Sequence, residues 1–153
     1  VLHSFGNGTD GKYPEASLLN VKGTLYGTTQ NGGQYGHGII SYGTVFSITP
    51  SGNEKVLHSF GNGNDGRYPD ASLIDVNRTL YGTTTQGYAG GTVFSIKPSG
   101  TEKVVHSFAG GLDGQDPFAS LSDVNGTLYG TTVLGGQYGT RYVSYGTVFS
   151  LTQ

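Results

Sequence analysis

The sequence predicts an all-β fold of the β-propeller type, a tandem repeat of three four-stranded antiparallel blades. Three observations predict it. One block of residues recurs three times at a spacing of about 50 residues, each copy carries four short β-prone runs and no helical pattern, and apolar residues fall at both parities of those runs.

The recurrence comes first because everything else is organised by it. Val1 to Thr29 (VLHSFGNGTDGKYPEASLLNVKGTLYGTT) aligns without a gap to Val56–Thr84 and to Val104–Thr132, and the first two copies differ at seven of 29 positions. The exchanges are mostly mild, such as Lys12 against Arg67 or Glu15 against Asp70. A second block, Gly43–Lys55 (GTVFSITPSGNEK), returns as Gly91–Lys103 and, shortened, as Gly146–Gln153. Only the segment between the blocks changes length: 13 residues at Gln30–Tyr42, six at Thr85–Gly90 and 13 at Val133–Tyr145. The chain reads as one repeat domain, 1–153, with repeats at 1–55, 56–103 and 104–153.

Within a copy the β-prone runs are ASLLNV, TLYGTT, GTVFSI and KVLHSF. The first two are joined through Lys22-Gly23, Asn77-Arg78 or Asn125-Gly126, residue types that accept the positive φ of a tight hairpin. The third and fourth are joined through Pro50-Ser51-Gly52-Asn53 or Pro98-Ser99-Gly100-Thr101, again turn chemistry. A four-stranded meander follows. Along its strands Val45 points one way and Phe46 and Ile48 the other, and Leu25 and Tyr26 divide likewise. A sheet that is apolar on both faces must be covered on both, which a radial stack of like sheets achieves. The alternatives are a β-solenoid or a two-sheet sandwich, and the stack is favoured because solenoid coils usually run about 20–30 residues, shorter than these repeats.

Composition narrows the function classes. With 28 Gly, 11 Tyr and 34% hydrophobic residues the chain is turn-rich and still ordered. A net charge of −2 from only 12% charged residues provides no basic stripe, so no nucleic-acid partner is expected. No apolar run approaches the roughly 18 residues of a membrane span. Zero cysteines exclude disulfides and thiolate metal sites. Low charge with abundant Gly, Ser, Thr and Tyr leans toward an extracellular or cell-surface location, and an initial Val is expected of a processed chain or a portion of a longer one.

The chemistry-bearing patterns are weak. Gly6-Asn7-Gly8-Thr9-Asp10-Gly11 matches the dinucleotide fingerprint, but Tyr13-Pro14 and a β-prone run follow where that site needs a helix. The calcium-like spacing of Asn62, Asn64 and Asp65 lacks the downstream Glu, so turn formation is the expected role. His3, His58 and His106 recur in step with the adjacent Phe, as a scaffold residue would, and no triad, zinc or Walker motif occurs. The chain is therefore expected to be non-enzymatic, with no cofactor and no metal. Asn7, Asn77 and Asn125 head N-glycosylation sequons. The variable loops are expected to share a rim with the GNGTDGKYP loops, and Tyr35, Tyr42, Tyr88, Tyr138, Tyr142 and Tyr145 are the candidate ligand-stacking residues there. The blander expectation is that these rings pack on neighbouring glycines.

The order of runs resembles kelch-like and quinoprotein-type blades, and the words GTLYGTT, GTVFSITPSG and VLHSFGNGTDGKYPEASL resemble the Gloeo_Verruco (GloVer) tandem repeat over nearly the whole chain. That resemblance implies a bacterial surface or secreted protein and blade architecture, without implying an activity. The chain opens on an outer-strand sequence, Val1, Leu2, His3, Ser4, Phe5, and closes on a third-strand sequence, Gly146, Thr147, Val148, Phe149, Ser150, Leu151. The terminal blade is therefore expected to be completed by an outer strand from another chain or from elsewhere in a longer array. The expected function is a structural scaffold that assembles with copies of itself into a filament or closed ring, the alternative being a carbohydrate- or ligand-binding module.

Overall fold

In a computed structural model, residues 1–37, 40–87, 90–138 and 144–152 are described. The first repeat forms β1 (Leu19–Val21), β2 (Thr24–Thr29), a two-residue-strand hairpin β3 (Gly36–His37) and β4 (Ile40–Ser41), β5 (Thr44–Ile48) and β6 (Glu54–Ser59). The second forms β7 (Ile74–Val76), β8 (Thr79–Thr84), β9 (Thr92–Ile96) and β10 (Glu102–Ser107). The third forms β11 (Ser122–Val124), β12 (Thr127–Thr132) and β13 (Thr147–Thr152), preceded by one 3-10 turn at Gly111–Asp113. They assemble into antiparallel sheets β1-β2-β5-β6, β7-β8-β9-β10 and β11-β12-β13, three blades of propeller type.

Local chemistry sets each connection. Lys22 and Gly23, Asn77 and Arg78, and Asn125 and Gly126 all hold positive φ, as a two-residue hairpin loop of the I′ kind requires. Each is braced by the preceding acidic or amide side chain: Gly23 N–H donates to Asn20 Oδ1, Arg78 N–H to Asp75 Oδ1 and Gly126 N–H to Asp123 Oδ1. At the outer hairpin Gly52 N–H donates to the Thr49 carbonyl and Thr49 N–H to that of Asn53. Gly52 sits at φ 89°. The carbonyl of Leu2 lies 2.7 Å from where a Gly52 Cβ would stand, so that turn has no room for a side chain.

Inside a blade the strands are locked by two repeated contacts. Gly27, Gly82 and Gly130 face Phe46, Phe94 and Phe149 across the ladder, and each phenyl ring lies over its glycine. Beside this, Thr29 and Thr44 hydroxyls meet at 2.8 Å, as do Thr84 with Thr92 and Thr132 with Thr147.

Between blades the two parities separate as the pattern predicts. One face of each sheet, here termed trailing, presents Leu19, Val21, Tyr26 and Val45 in the first blade and Ile74, Val76, Tyr81 and Val93 in the second. The opposite, leading face presents Leu73, Leu80, Phe94 and Ile96 in the second blade and Leu121, Leu128, Phe149 and Leu151 in the third. Trailing packs on leading at both junctions. The outer strand ends each junction with an aromatic lock, Phe60 edge-on to Phe94 and Phe108 edge-on to Phe149, both at 5.0 Å between centroids. Backbones of different sheets approach at the inner strands β1 and β7, as expected of wedge-shaped blades.

Two elements differ from the sequence expectation. Only the last three residues of ASLLNV form a strand, because Ala-Ser-Leu bridges to the neighbouring sheet instead: Ser17 N–H donates to Ser72 Oγ, and the Thr28 hydroxyl donates to the Ala71 carbonyl. The outer strand starts earlier, at Glu54 and Glu102, and carries a register shift beside Leu57 and at Val105.

Because Phe94 covers the Gly82 position at 2.6 Å from an added Cβ, a Gly82→Ala variant should lose about 1–3 kcal/mol of stability by overpacking, measured as a lower urea midpoint with an unchanged slope.

Candidate functional site

The features that distinguish one part of this repetitive molecule from another are its two ends and one loop-lined cleft. At the leading end Val1–Phe5 forms no strand, yet it is seated as an outer strand would be. Phe5 stands edge-on to Phe46 at 4.9 Å, matching Phe60 on Phe94 and Phe108 on Phe149. The Leu2 carbonyl approaches Gly52 as the Leu57 carbonyl approaches Gly100. At the trailing end the third sheet stops at β13, and among the described residues no fourth strand pairs with it. The residues from Thr147 to Leu151 thus form an edge, with Val148 exposed and Phe149 half-buried.

The recurrent histidine has a structural setting. His3 Nε2 lies 3.0 Å from Asp10 Oδ2, His58 Nε2 2.9 Å from Asp65 Oδ2, and His106 Nε2 3.0 Å from Asp113 Oδ1. The same carboxylates accept the backbone N–H of Gly6, Gly61 and Ala109, closing the loop that the dinucleotide and calcium patterns superficially match. Each imidazole also stands edge-on to the Phe two residues on. Among the described residues no group of three or more His, Cys, Asp or Glu side chains converges as metal ligands would.

A carboxylate from the next outer strand lies within electrostatic reach of each of the first two pairs, Glu54 of His3 and Asp10, and Glu102 of His58 and Asp65. Sequence reasoning missed these glutamates, since only the stacking of outer strands sets them against the previous repeat. Oε1 of each is buried without a hydrogen-bond partner among the described residues. Burial raises both above the ordinary carboxylate range, with the histidine opposing and the aspartate adding to the rise, and Glu102 reaches about 7. Burial likewise raises Asp70, against hydrogen bonds from Gln30 and Thr85.

The predicted rim exists. Backbone bridges Lys12↔Asn31, Arg67↔Gln86 and Gln115↔Leu134 tie each GNGTDGKYP-type loop to the variable loop of its own repeat. Its tyrosines do not share one role. Tyr35 lines a cleft of about 460 Å³ with Thr9, Gln34, Leu57, His58 and Asn62. Tyr42 instead packs into the first junction, against Gly61 and Tyr68 and under the Arg67 guanidinium. Tyr138 and Tyr145 are exposed, and Tyr88 and Tyr142 lie outside the described residues. Asn7, Asn77 and Asn125 are exposed, the last two in the inner hairpin turns. No helix among the described residues is long and apolar enough to cross a membrane.

A sequence model of the Gloeobacter/Verrucomicrobia repeat matches residues 1–153. The chain belongs to this repeat family. No curated protein matches the chain at a significant level.

In this Gloeobacter/Verrucomicrobia repeat chain the raised proton affinity of the half-buried Glu102 gives an expected pH dependence of stability. A carboxyl whose folded pKa is raised stabilises fully below its unfolded value of 4.5 and loses that contribution as pH rises through about 7. Thermal midpoints should therefore fall between about pH 4.5 and 7 from this group, and Glu102→Gln should flatten that fall, as scanning calorimetry across the range would show.

Proposed function

We propose that the chain is a non-enzymatic extracellular scaffold that assembles by strand complementation, the outer-strand segment of one copy completing the third sheet of the next. The observation that carries this reading is that, among the described residues, the β13 edge is unfilled and the Val1–Phe5 segment is seated in the outer-strand position yet bonded to no sheet. The two complete blades supply the register. Thr44 pairs with Ser59, Val45 with His58 and Phe46 with Val56, and Thr92, Val93 and Phe94 pair with Ser107, His106 and Val104. The incoming strand would then set Ser4 on Thr147, His3 on Val148 and Val1 on Phe149. An open edge of this kind is a template for another strand. Rotation per copy decides between a closed ring and a filament.

A second reading rests on the cleft beside Tyr35. Its wall combines an aromatic ring with Thr, Gln, Asn and His polar groups from three loops and an outer strand, a lining suited to a polyhydroxylated ligand such as a glycan.

Deleting residues 1–5 should convert assemblies of the parent chain into monomers in size-exclusion chromatography with light scattering; an unchanged size distribution would sink the scaffold reading. On a glycan array, retention lost on Tyr35→Ala would support the second reading, and equal signals for parent and variant would remove it.

A further inference from the structure

We infer that the two end faces of the array are halves of one sheet-on-sheet interface, so that a second copy of this chain docks head to tail with its first sheet against the third sheet of its neighbour. This rests on the scaffold reading and adds to the strand edge a separate surface, made by side chains on the flat of the sheet.

The chain itself shows what each end face is built to meet, because the same interface occurs twice inside it. On the trailing side, Val45 and Val93 are 0% exposed and Val76 is 7%, whereas the equivalent residues of the third blade, Val148 and Val124, are exposed to 78% and 53%. On the leading side, Leu73 is 3% exposed and its first-blade equivalent Leu18 is 49%. Leu18 borders an open apolar cleft of about 350 Å³ with Val1, Leu2, Phe5, Phe46 and Ile48. Trailing valines and a tyrosine at one end, and a leucine-lined depression at the other, are what meet at each internal junction.

The rim repeats the complementarity. In the first junction Tyr42 packs on Gly61, stands edge-on to Tyr68 at 6.3 Å, and lies 4.3 Å below the Arg67 guanidinium, while its carbonyl accepts the Tyr68 N–H. Tyr145 lies in the same Ser-Tyr-Gly-Thr-Val-Phe-Ser context at the trailing end, and Gly6, Lys12 and Tyr13 stand at the leading end where Gly61, Arg67 and Tyr68 stand in the second repeat. Tyr145 and Tyr13 are both exposed. The polar bonds match as well. Thr28 and Thr83 donate to the carbonyls of Ala71 and Ala119 across the junctions, and the end faces present Thr131 and Ala16 for the same bond. Because leading and trailing faces differ, the contact is heterologous, and each copy keeps one face of each kind free for growth or closure.

Two substitutions on exposed side chains test this away from the β13 edge. Val124→Lys on β11 blocks the trailing face, and Leu18→Lys blocks the leading face. Each variant alone should remain folded by circular dichroism and sediment as a monomer where the parent assembles. An equimolar mixture should give a dimer and nothing larger, since one good face remains on each partner. Tyr145→Ala should weaken association by roughly 2–10-fold, the worth of one aromatic contact. Parent-like assembly by both lysine variants would overturn the face inference and leave edge pairing standing if deletion of residues 1–5 still abolishes assembly. A parent that stays monomeric at all concentrations overturns both. Dimers formed by either lysine variant alone would show a like-on-like contact and also overturn it.

Discussion

The rest of the structure depends on a phenylalanine from one blade standing edge-on to a phenylalanine in the middle of the next, as Phe60 does to Phe94 and Phe108 to Phe149. The second ring of each pair can tilt inward only because the opposite residue on the neighbouring strand is glycine. The first ring follows an outer strand whose histidine braces it and bonds the aspartate that closes the following loop. Blade interior, outer strand and loop are thereby coupled at one point, and the point is copied with the repeat. Full burial of a side chain of this size stabilises by roughly 1.5–3 kcal/mol, so the aromatic locks and surrounding aliphatics are what offset the ordering of so glycine-rich a chain.

The same contact explains why the first five residues keep the position of an outer strand without belonging to a sheet. Phe5 on Phe46 holds the segment by its side chain, while among the described residues its backbone pairs with no strand. Strand pairing and ring packing are thus separable in this architecture. The half-buried glutamates belong to the same seam. They sit where outer strands of successive repeats run side by side, and burial raises their proton affinity without altering the core on either face.

The blade was readable from the residues at most positions. Asn77, Asn125, Gly23 and Gly126 announced the hairpin turns because few residue types favour positive φ, whereas Lys22 and Arg78 hold it without that preference. The opposed parities of Tyr26 and Leu25, and of Val45 and Phe46, announced two buried faces because side chains alternate along a strand. The rim was less legible. Tyr42 and Tyr145 occupy one sequence context, yet Tyr42 is packed in a junction and Tyr145 is exposed. The difference arises from whether another repeat follows in space, which composition does not record.

What the amino-acid order alone determined is therefore the unit: four strands, two apolar faces, the turns that join them, and the histidine and phenylalanine copied at each outer strand. Periodicity and steric limits on φ act locally and need no partner, so they can be read along a line. What only the tertiary structure decided is the seam: Ala-Ser-Leu bridging to the adjacent sheet in place of a longer strand, Glu102 within electrostatic reach of the His58–Asp65 pair, and Val148 left bare where Val45 and Val93 are covered. Those outcomes depend on which surfaces meet across about 40–50 residues of chain, and contact between distant segments is a property of packing that no local rule contains.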